Sequence, residues 1–594
     1  MLSRNYITEF YTALDAQPDL DKEGIAKLKI QLCKAHKVKK IPSDIEVLLH
    51  STAEEVKRYR KRMQTKPNRS LSGVAPVAIM TSPWNCPHGR CTMCPGGIKS
   101  PFGDVPQSYT GKEPSTMRGI RAGYDPYLMV YNRLEQYVVT GHVADKVDLI
   151  IMGGTFTARP KRYQTEFVAY AFKAMNDFSE QFFTDEGFDL ASFKEFFELP
   201  GEVGSTERTL RIHEKLLAQK GEYNLEKEQA RNETARIRCI GMTIETKPDW
   251  AFLDHANIML EQGCTRVELG IQSVYDPQLA VIYRGHDVAD NKKSIQVLKD
   301  LGFKLNFHMM IGLPTVAGER EVDEELAHSF RVNKDLPRLI PGPKISREQD
   351  IEGLKTLFAD EAWAPDMIKI YPCMVMPGTE LLQDYKEGRF TPITTPEAAD
   401  VIAESMRYVE PYCRVMRVQR DIPTYQIEGG VDKTNLRQYV DKVMEERGIV
   451  SKDIRAREVG RKKASKEPRI EMITQEYDAS GGKEFFISIE DRANDTLYGF
   501  IRLRFPGQQL REEITKTTAI IRELHVYGSA VAIGKDDQGS RQHKGYGTQL
   551  LHEAERVAKE AGYDHMLVIS GIGVREYYRK FGYENEGPYV GKQL

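Results

Sequence analysis

The chain has 594 residues, of which 40% are hydrophobic and 29% charged, a globular composition that excludes a disordered or collagen-like protein. Its 84 Lys and Arg nearly balance 86 Asp and Glu, so any nucleic-acid contact requires a local basic cluster. No apolar run approaches about 18 residues and the start (MLSRNYITEF) has no apolar signal-peptide core. We therefore expect a cytoplasmic protein with no membrane span.

Residues 1–70 are polar, have a helical pattern and end in a basic run. A solvated helix face is one interpretation of this run, and contact with nucleic-acid phosphates is the other. The run lies just before the first predicted strand of the barrel described below. We therefore expect it near the barrel rim where the loop after that strand emerges. Its cations are Lys57, Arg58, Arg60, Lys61, Arg62, Lys66 and Arg69.

From residue 71 to 420, short β-branched runs alternate with helical stretches. The runs are nearly continuous in apolar residues, which is typical of parallel strands covered on both faces. This alternation predicts a parallel sheet, open or closed into a barrel. A polar stretch at 185–235 is expected on the surface. The predicted strands are 75–80, 147–152, 237–244, 266–271, 304–311, 367–372 and 413–418.

The remaining chain predicts a bridge and a second domain. Residues 421–465 are charged and weakly periodic, which indicates a linker or bridging helices. From 466 to 594, strands, a glycine turn, a helix, a strand and a tyrosine-rich helix predict a smaller α/β domain. The turn, from Gln542 to Gly547, would present backbone N–H groups to a pyrophosphate, although a plain tight turn would have a similar sequence.

Three of the eight cysteines crowd into one loop after the first predicted strand: Cys86, Cys91 and Cys94. Three thiolates can hold three irons of a 4Fe–4S cluster and leave the fourth iron open to a second molecule. Structural zinc normally takes four ligands, and His88 could supply the fourth. A trio of ordinary buried cysteines is the third interpretation; spacing favours the cluster.

This loop resembles that of radical S-adenosylmethionine (SAM) enzymes, although four residues separate the first two cysteines instead of the usual three. Gly153, Gly154 and Thr155 follow the second strand and resemble the glycine motif that contacts the SAM amino group. Three more polar residues at strand ends, where barrel active sites gather, are placed to meet the SAM ribose or amino acid: Glu245, Glu268 and Gln272.

The C-terminal order of elements resembles the GNAT (acetyltransferase-like) fold. This resemblance implies acetyl-CoA bound along a strand edge and the glycine turn. Tyr577 or Tyr578 would lie near the thioester, and Glu523 or His525 could act as a base. The implied acetyl-CoA residues are Leu524, His525, Val526, Tyr527, Gly545, Tyr546, Gly547, Thr548, Gln549 and Tyr578.

Along nearly its full length the chain resembles the Elongator catalytic-subunit family of tRNA uridine-34 carboxymethyl synthases. The motifs that carry the resemblance include CPHGRCTMCPGG, MGGTF, GMTIETKPD, VELGIQS, RELHVYG and YYRKFGYENEGPY. It implies a radical SAM partial (β/α) barrel followed by a GNAT domain. A SAM-derived 5′-deoxyadenosyl radical would act on acetyl-CoA, and a carboxymethyl group would be placed on carbon 5 of the wobble uridine.

The same resemblance implies partners and further site residues. Lys146 aligns with a family position that contacts the acetyl-CoA phosphates, and Arg118 and Arg121 would extend the surface for the tRNA anticodon stem-loop. A homodimer or accessory subunits of the Elongator type are compatible with it. Prokaryotic relatives carry zinc-binding cysteines before the REVG motif, but residues 451–456 contain none. We therefore expect no interdomain zinc, and a bridge held by packing or ion pairs.

Two alternative functions are compatible with the sequence. The first is a protein lysine N-acetyltransferase with a non-catalytic iron–sulfur scaffold domain. The second is a tRNA-binding module that binds acetyl-CoA without consuming it. The products separate these hypotheses, because only a radical SAM reaction forms 5′-deoxyadenosine.

Overall fold

The computed structural model describes residues 2–66, 73–201, 204–320, 338–462, 467–527 and 545–594. Of the residues singled out above, Arg69 and the turn residues 542–544 lie outside these ranges. No helix in the described ranges is long and apolar enough to cross a membrane.

Four helices form a small N-terminal unit with its own apolar core, which includes Tyr6, Phe10 and Leu32. The last two helices begin at capping boxes, in which Ser43 pairs with Glu46 and Thr52 with Glu55, so the exposed N–H groups of their first turns are satisfied. The unit confirms the predicted helical pattern. Its helices are α1 (Arg4–Asp15), α2 (Lys22–Ala35), α3 (Asp44–Leu49) and α4 (Ala53–Met63).

A seven-stranded parallel sheet follows, with its strands in chain order, and forms a half-barrel. All six strand pairs are parallel. One face packs against helices, and the other lines a cavity. The partial barrel predicted from sequence is therefore confirmed. Its strands are β1 (Ala75–Met80), β2 (Lys146–Met152), β3 (Arg238–Thr246), β4 (Arg266–Gln272), β5 (Lys304–Ile311), β6 (Met367–Pro372) and β7 (Arg414–Arg417).

The helices of this part include three in the stretch predicted to be a surface insertion. That expectation is wrong for Asn232 and Glu228, which are buried and bond Asn176. The helices are α5 (Pro114–Arg121), α6 (Pro126–Val139), α7 (Lys161–Phe182), α8 (Leu190–Phe196), α9 (Thr206–Lys220), α10 (Leu225–Thr234), α11 (Leu253–Glu261), α12 (Asp276–Val281), α13 (Val288–Asp300), α14 (Arg347–Ala359), α15 (Glu380–Lys386) and α16 (Thr395–Ser405).

A second seven-stranded sheet forms the C-terminal domain, in the order β8-β9-β10-β11-β12-β14-β13. Only β11 and β12 pair in parallel. The strands are β8 (Ile470–Ala479), β9 (Gly482–Asp491), β10 (Thr496–Phe505), β11 (Thr518–Val526), β12 (His565–Val568), β13 (Glu584–Glu586) and β14 (Tyr589–Gln593), and two bridging helices, α17 (Leu436–Glu446) and α18 (Ile454–Arg457), precede them. Helices α19 (Tyr546–Glu560) and α20 (Arg575–Arg579) complete the domain. Helix α20 contains Tyr577 and Tyr578 and is the predicted tyrosine-rich helix; the chain then continues into β13 and β14.

Buried ion pairs join the two domains. Arg522 of β11 pairs with Asp366, which directly precedes β6, and Arg504 of β10 pairs with Asp300 at the end of α13. Glu484 of β9 accepts hydrogen bonds from both arginines. All five side chains are fully buried. One apolar cluster also contains residues of both domains, among them Leu301, Ile520 and Ile572. Both expected modes, packing and ion pairs, therefore join the domains.

Candidate functional site

A cavity of about 170 Å³ lies at the carboxyl ends of the half-barrel strands, the end where barrel active sites form. The cysteine loop after β1 covers one side of it. Polar side chains from the ends of β3 to β7 line the rest. Of the residues predicted from sequence, the cavity is lined by Cys86, Cys91, Cys94, Gly154, Thr155, Glu245, Glu268 and Gln272.

Each cysteine sulfur has a hydrogen-bond partner. The Ser108 backbone N–H donates to Cys94 Sγ at 3.1 Å, and Arg284 Nη1 donates to Cys91 Sγ at 3.6 Å. The Thr155 hydroxyl lies 3.5 Å from Cys86 Sγ. Burial raises the pKa of Cys86 to about 11. Such a thiol ionises when a metal replaces its proton, so this donor set fits a bound iron–sulfur cluster.

His88 lies beside this set, with Nε2 3.3 Å from Cys91 Sγ. Burial, together with Lys247 and Arg284, lowers the pKa of His88 to about 2, so the ring is neutral. A neutral imidazole and three thiols would satisfy the ligand count of zinc. Among the described residues, however, no three of these four side chains bring their ligand atoms within 4.8 Å of one another, so they are not arranged to hold a single zinc ion.

The glycine motif after β2 is required by close packing. A Cβ on Gly153 would lie 2.1 Å from Thr81 Oγ1, and the backbone φ of Gly153 is +129°. Gly154 has φ +93°, and a Cβ there would point toward Cys86 Sγ at 3.9 Å. Gly153 thus packs behind the cavity while Gly154 faces it. Close packing thus excludes a side chain at Gly153, and the positive φ favours glycine at both positions.

Two carboxylates at the ends of β3 and β4, the buried Glu268 and the partly exposed Glu245, have opposite environments. Glu268 accepts hydrogen bonds from Asn306 at 3.0 Å and His308 at 2.8 Å, and also from Lys369. Burial alone would raise its pKa, but Lys369 and His308 lower it well below the usual value. Burial and the neighbouring Glu268 instead raise the pKa of Glu245 to about 7. One carboxylate is therefore ionised and the other titrates near neutrality.

The cavity also contains charged residues that sequence reasoning missed. Lys369 lies inside β6, and Arg417 ends β7, so both sit in runs that otherwise predict buried strands. Arg420 donates to the Ser108 carbonyl, and Tyr109 donates to Glu245 at 3.0 Å. Lys369 and Arg417 could have been recognised as site residues because each is a cation inside an otherwise apolar strand pattern. Such a cation must face either a partner or a cavity.

A cleft opens in the C-terminal domain where β11 leaves β12. The two strands pair only as far as Ile521 and Val568, whereas β11 continues to Val526 beside β10. Among the described residues, one edge of Leu524–Val526 therefore has no strand partner. Gly545, with φ +72°, precedes the first turn of α19, and no atom of the described residues lies within 4 Å of where its Cβ would be. An extended arm and a pyrophosphate would fit this edge and this helix start.

The tyrosines predicted to lie near the thioester have different positions. Tyr577 lies against the start of α19, where a Cβ on Gly547 would be 2.8 Å from its hydroxyl. Tyr578 is buried, its ring 5.8 Å from that of Tyr583. Burial raises the pKa of both tyrosines, so both are neutral. Tyr527, beyond the end of β11, accepts a hydrogen bond from Arg414 at 3.0 Å.

The two predicted bases differ in charge. Glu523 accepts from Arg502 at 3.0 Å and lies 3.9 Å from Lys304 of the half-barrel. Burial alone would raise the pKa of Glu523, but Lys304 and Arg502 lower it. Burial lowers the pKa of His525 to about 4. His525 is therefore a neutral imidazole. Glu523 is an ionised carboxylate that contacts two cations, so it is a weak base.

Lys146 is the first residue of β2, at the amino ends of the strands, whereas the cysteine loop lies at their carboxyl ends. It pairs in register with Arg238 of β3. A short 3-10 helix of the C-terminal domain (Ile572–Val574) packs on this end of β3, where a Cβ on Gly573 would be 2.5 Å from Arg238 Cβ. Lys146 therefore lies on the edge of the half-barrel that faces the second domain.

The basic run was expected near the end of the barrel where the cysteine loop emerges. The structure places it elsewhere, so that expectation is wrong. At the end of α4, Thr65 N–H donates to the Thr140 carbonyl at 3.2 Å, in the loop that leads into the start of β2. The run therefore lies at the amino ends of the strands. Strand β1 then leads to their carboxyl ends, about 20 Å away, where the cysteine loop begins. Helix α5, which carries Arg118 and Arg121, instead begins beside the cavity residues Glu113 and Ser115.

Part of the basic run supports the N-terminal unit. Arg62 donates to the carbonyls of Leu14 and Gln17 at 2.9 Å each, and Arg58 pairs with Asp15. The side chains of Lys57, Arg60, Lys61 and Lys66 are exposed.

Three family models match the chain. The model described as Radical SAM superfamily matches residues 202–326, and the Radical SAM C-terminal domain matches 365–446. The Acetyltransferase (GNAT) family matches 453–583. The radical SAM matches begin after the cysteine loop. They cover β3, β4, β5, β6 and β7.

Whole-chain relatives extend the similarity. The chain is 42% identical to the tRNA uridine(34) acetyltransferase of Methanocaldococcus jannaschii, over 97% of this chain and 95% of the relative. It is 38% identical to Elongator complex protein 3 of Danio rerio, over 90% of this chain and 86% of the relative. The solved structure of Elp3 from Methanocaldococcus infernus, with an N-terminal deletion, matches with a TM-score of 0.66 at 37% identity. It covers 88% of this chain and 100% of that one.

Three observations support the same family: a half-barrel with a three-cysteine loop, a GNAT domain at the other end of the half-barrel, and whole-chain identity of about 40%. Family membership favours a radical SAM cluster over zinc at the cysteine loop, since radical SAM domains in general use a 4Fe–4S cluster and SAM. The chain belongs to the family of tRNA uridine(34) acetyltransferases and Elongator complex protein 3.

Proposed function

We propose that the protein modifies the wobble uridine of tRNA, using SAM and acetyl-CoA to place a carboxymethyl group on carbon 5. The observation that carries this proposal is the pairing of two sites in one chain. A cavity with three thiols lies at one end of the half-barrel, and a cleft suited to acetyl-CoA lies at the other. Its relatives are named for tRNA uridine 34.

Cys86, Cys91 and Cys94 would hold the 4Fe–4S cluster, which when bound supplies the electron that cleaves SAM to a 5′-deoxyadenosyl radical. Around it the chain's own residues bind and orient. Gly154 leaves room for the SAM amino acid beside the sulfurs. Glu245 and Glu268 accept hydrogen bonds from SAM hydroxyl and amino groups.

At the other end, Gly545–Gln549 would bind the acetyl-CoA pyrophosphate and the edge of Leu524–Tyr527 would bind the arm. Lys146 would contact the phosphates from the half-barrel. Hydrolysis of the thioester needs a base, and His525 is neutral and able to accept the proton of a water. Tyr577 and Tyr578, both neutral, could donate to the developing oxyanion. We propose that Glu523 positions Arg502 and Lys304 and takes no proton.

The tRNA would bind across two surfaces. Arg118 and Arg121 belong to α5, whose start lies beside the cavity, and Met117 and Ile120 are exposed on the same helix. This helix would contact the anticodon loop. Single-stranded loops are bound by splaying bases onto side chains. The basic run at the other edge of the sheet would contact phosphates of the stem. Accessory subunits or a second copy could enlarge this surface.

The test replaces all three cysteines by alanine and analyses tRNA nucleosides after anaerobic incubation with SAM, acetyl-CoA and reductant. The parent protein should yield carboxymethyl-uridine and 5′-deoxyadenosine, and the triple variant neither. Cys239→Ala, a buried cysteine outside the loop, is the matched control and should retain both products. Carboxymethyl-uridine from the triple variant would refute the proposal. Acetyl-lysine as the only product of the parent would support the acetyltransferase alternative.

A further inference from the structure

The loop after β7 closes the half-barrel against the loop that follows the cysteines. Arg420 donates to the Ser108 carbonyl, and the Thr110 hydroxyl donates to Gln426 Oε1 at 2.8 Å. Between these two bonds, Ile422 is buried in a small apolar cluster. The segment from 420 to 426 is therefore fixed at three points, and the side chains it carries have defined positions.

Two charged residues of this part of the chain lie at the mouth of the cavity. Arg417 and Asp421 both line the cavity, and Arg417 Nη1 lies 3.0 Å from Asp421 Oδ2. Their side chains are 45% and 60% exposed, whereas those of Lys369 and Glu268, deeper in the cavity, are 14% and 3% exposed. An ion pair this exposed contributes little to stability, so a ligand can take hydrogen bonds from both partners at little cost.

Asp421 differs from the other acidic residues that line the cavity. Glu113 and Glu268 are buried, and Glu245 is half-buried. Each of those three carboxylates accepts a hydrogen bond from a neighbouring group of the protein. Asp421 is exposed at an entrance that the proposed tRNA substrate must use, where a carboxylate repels phosphates. Such a position favours binding when the carboxylate accepts a hydrogen bond from the ligand itself.

The Watson–Crick edge of uracil matches this pair, because its N3–H donor lies between two carbonyl oxygens. A carboxylate accepts from N3–H, and a guanidinium beside it donates to a carbonyl oxygen. Cytosine has no proton on N3, so its lone pair would face the carboxylate oxygen. Guanine, like uracil, has an N–H next to a carbonyl. The pair therefore separates uracil from cytosine and does not separate pyrimidines from purines.

The edge that is bound also sets the direction of the base. In the uracil ring, N3 lies on the side opposite the C5–C6 edge. A uracil held through N3 at the mouth of the cavity therefore directs C5 inward, toward the residues that lie deeper. Carbon 5 is the atom that the proposed reaction modifies, so the same two bonds would both select and orient the base.

We propose that Arg417 and Asp421 form the subsite that recognises the uracil of the target nucleotide, with Asp421 accepting from N3–H and Arg417 donating to a carbonyl oxygen. Bases splayed out of single-stranded loops are read on this edge in other RNA-binding proteins. The inference rests on the proposed function and deepens it, because it names the residues that select uridine over cytidine at position 34.

The test measures binding to synthetic anticodon stem-loops that differ only at position 34, which is uridine or cytidine. Full-length, cluster-loaded protein is used without SAM, so that no turnover occurs, and fluorescence anisotropy gives the dissociation constants. The parent should bind the uridine loop at least about fivefold more tightly, the lower end for a base edge read by two hydrogen bonds. Asp421→Asn should bring this ratio to within about twofold, because an amide can turn either an acceptor or a donor toward the base.

The matched control is Glu428→Gln, which changes an exposed carboxylate further along the same loop and outside the cavity lining. This variant should keep the parent's ratio. Asp421→Ala is a second variant that should lose the preference, and unchanged acetyl-CoA affinity shows that each variant is folded. Equal affinities of the parent for the two loops, or a parent-like ratio in both Asp421 variants, would overturn the inference.

The two proposals fail in different ways. Binding is measured without the modification reaction, so a parent that prefers the uridine loop but forms no carboxymethyl-uridine would refute the proposed reaction alone. A parent that forms carboxymethyl-uridine without preferring the uridine loop would refute this inference alone.

Discussion

Asp366→Asn should destabilise the protein by about 3–5 kcal/mol, the range measured when one partner of a buried ion pair is removed. Asp366 accepts hydrogen bonds from Arg522 at 3.0 and 2.5 Å and from the Leu305 backbone N–H at 2.8 Å. Arg502 lies 3.5 Å away. Loss of two charge-assisted bonds of about 1.5–3 kcal/mol each gives a similar figure. The asparagine keeps the shape but turns a donor toward the guanidinium.

The assay is urea unfolding followed by circular dichroism, which gives the free energy of unfolding. The matched control is Glu560→Gln, which removes an exposed partner of Arg556 and should change stability by about 0.5 kcal/mol or less. Burial alone would raise the pKa of Asp366, but Arg522 and Arg502 hold it well below the usual 3.8. Its contribution is therefore present above that value and lost only as the pH falls through the lowered pKa. A change no larger than that of the control would refute the reasoning.

Three further predictions concern binding. The pKa of Glu245 is about 7, so SAM should bind more tightly as the pH rises from about 6 to about 8, and Glu245→Gln should remove this dependence in equilibrium titrations. A pH dependence that persists in the variant would exclude Glu245. Lys146→Ala should weaken acetyl-CoA binding by about 1–3 kcal/mol in calorimetry, and unchanged affinity would remove Lys146 from the site. Lys57→Glu with Lys61→Glu should weaken tRNA binding and flatten its salt dependence by roughly 0.9 per lost phosphate contact, the value for a duplex, with acetyl-CoA affinity unchanged. An unchanged salt slope would show that these lysines form a solvated helix face.

The strands of the half-barrel could be predicted because their sequences are nearly continuous runs of apolar residues. Apolar runs such as 147–152 and 304–311 coincide with β2 and β5 to within one residue. Strand β8 does not follow from the sequence, since it is an edge strand whose Ile470 and Met472 remain exposed. Its pattern is mostly polar, and its pairing with β9 is a long-range property that no local pattern contains.

The site residues fall into two groups for a similar reason. The cysteines and the glycine motif are adjacent in sequence to strand ends, so their convergence follows from a parallel sheet. The position of the basic run does not follow, because adjacency to β1 places it at the start of that strand and not at its end. Arg266 and Lys304 look like ordinary parts of strand runs, although each directs a charge into the barrel.

The central claim is that the acetyl methyl of acetyl-CoA reacts with the SAM-derived radical. The most direct measurement is anaerobic incubation of the protein with tRNA, SAM, reductant and acetyl-CoA whose methyl group is fully deuterated. Mass spectrometry should find 5′-deoxyadenosine with one deuterium and uridine 34 carrying a carboxymethyl group with two. Undeuterated 5′-deoxyadenosine beside unmodified tRNA would contradict the account.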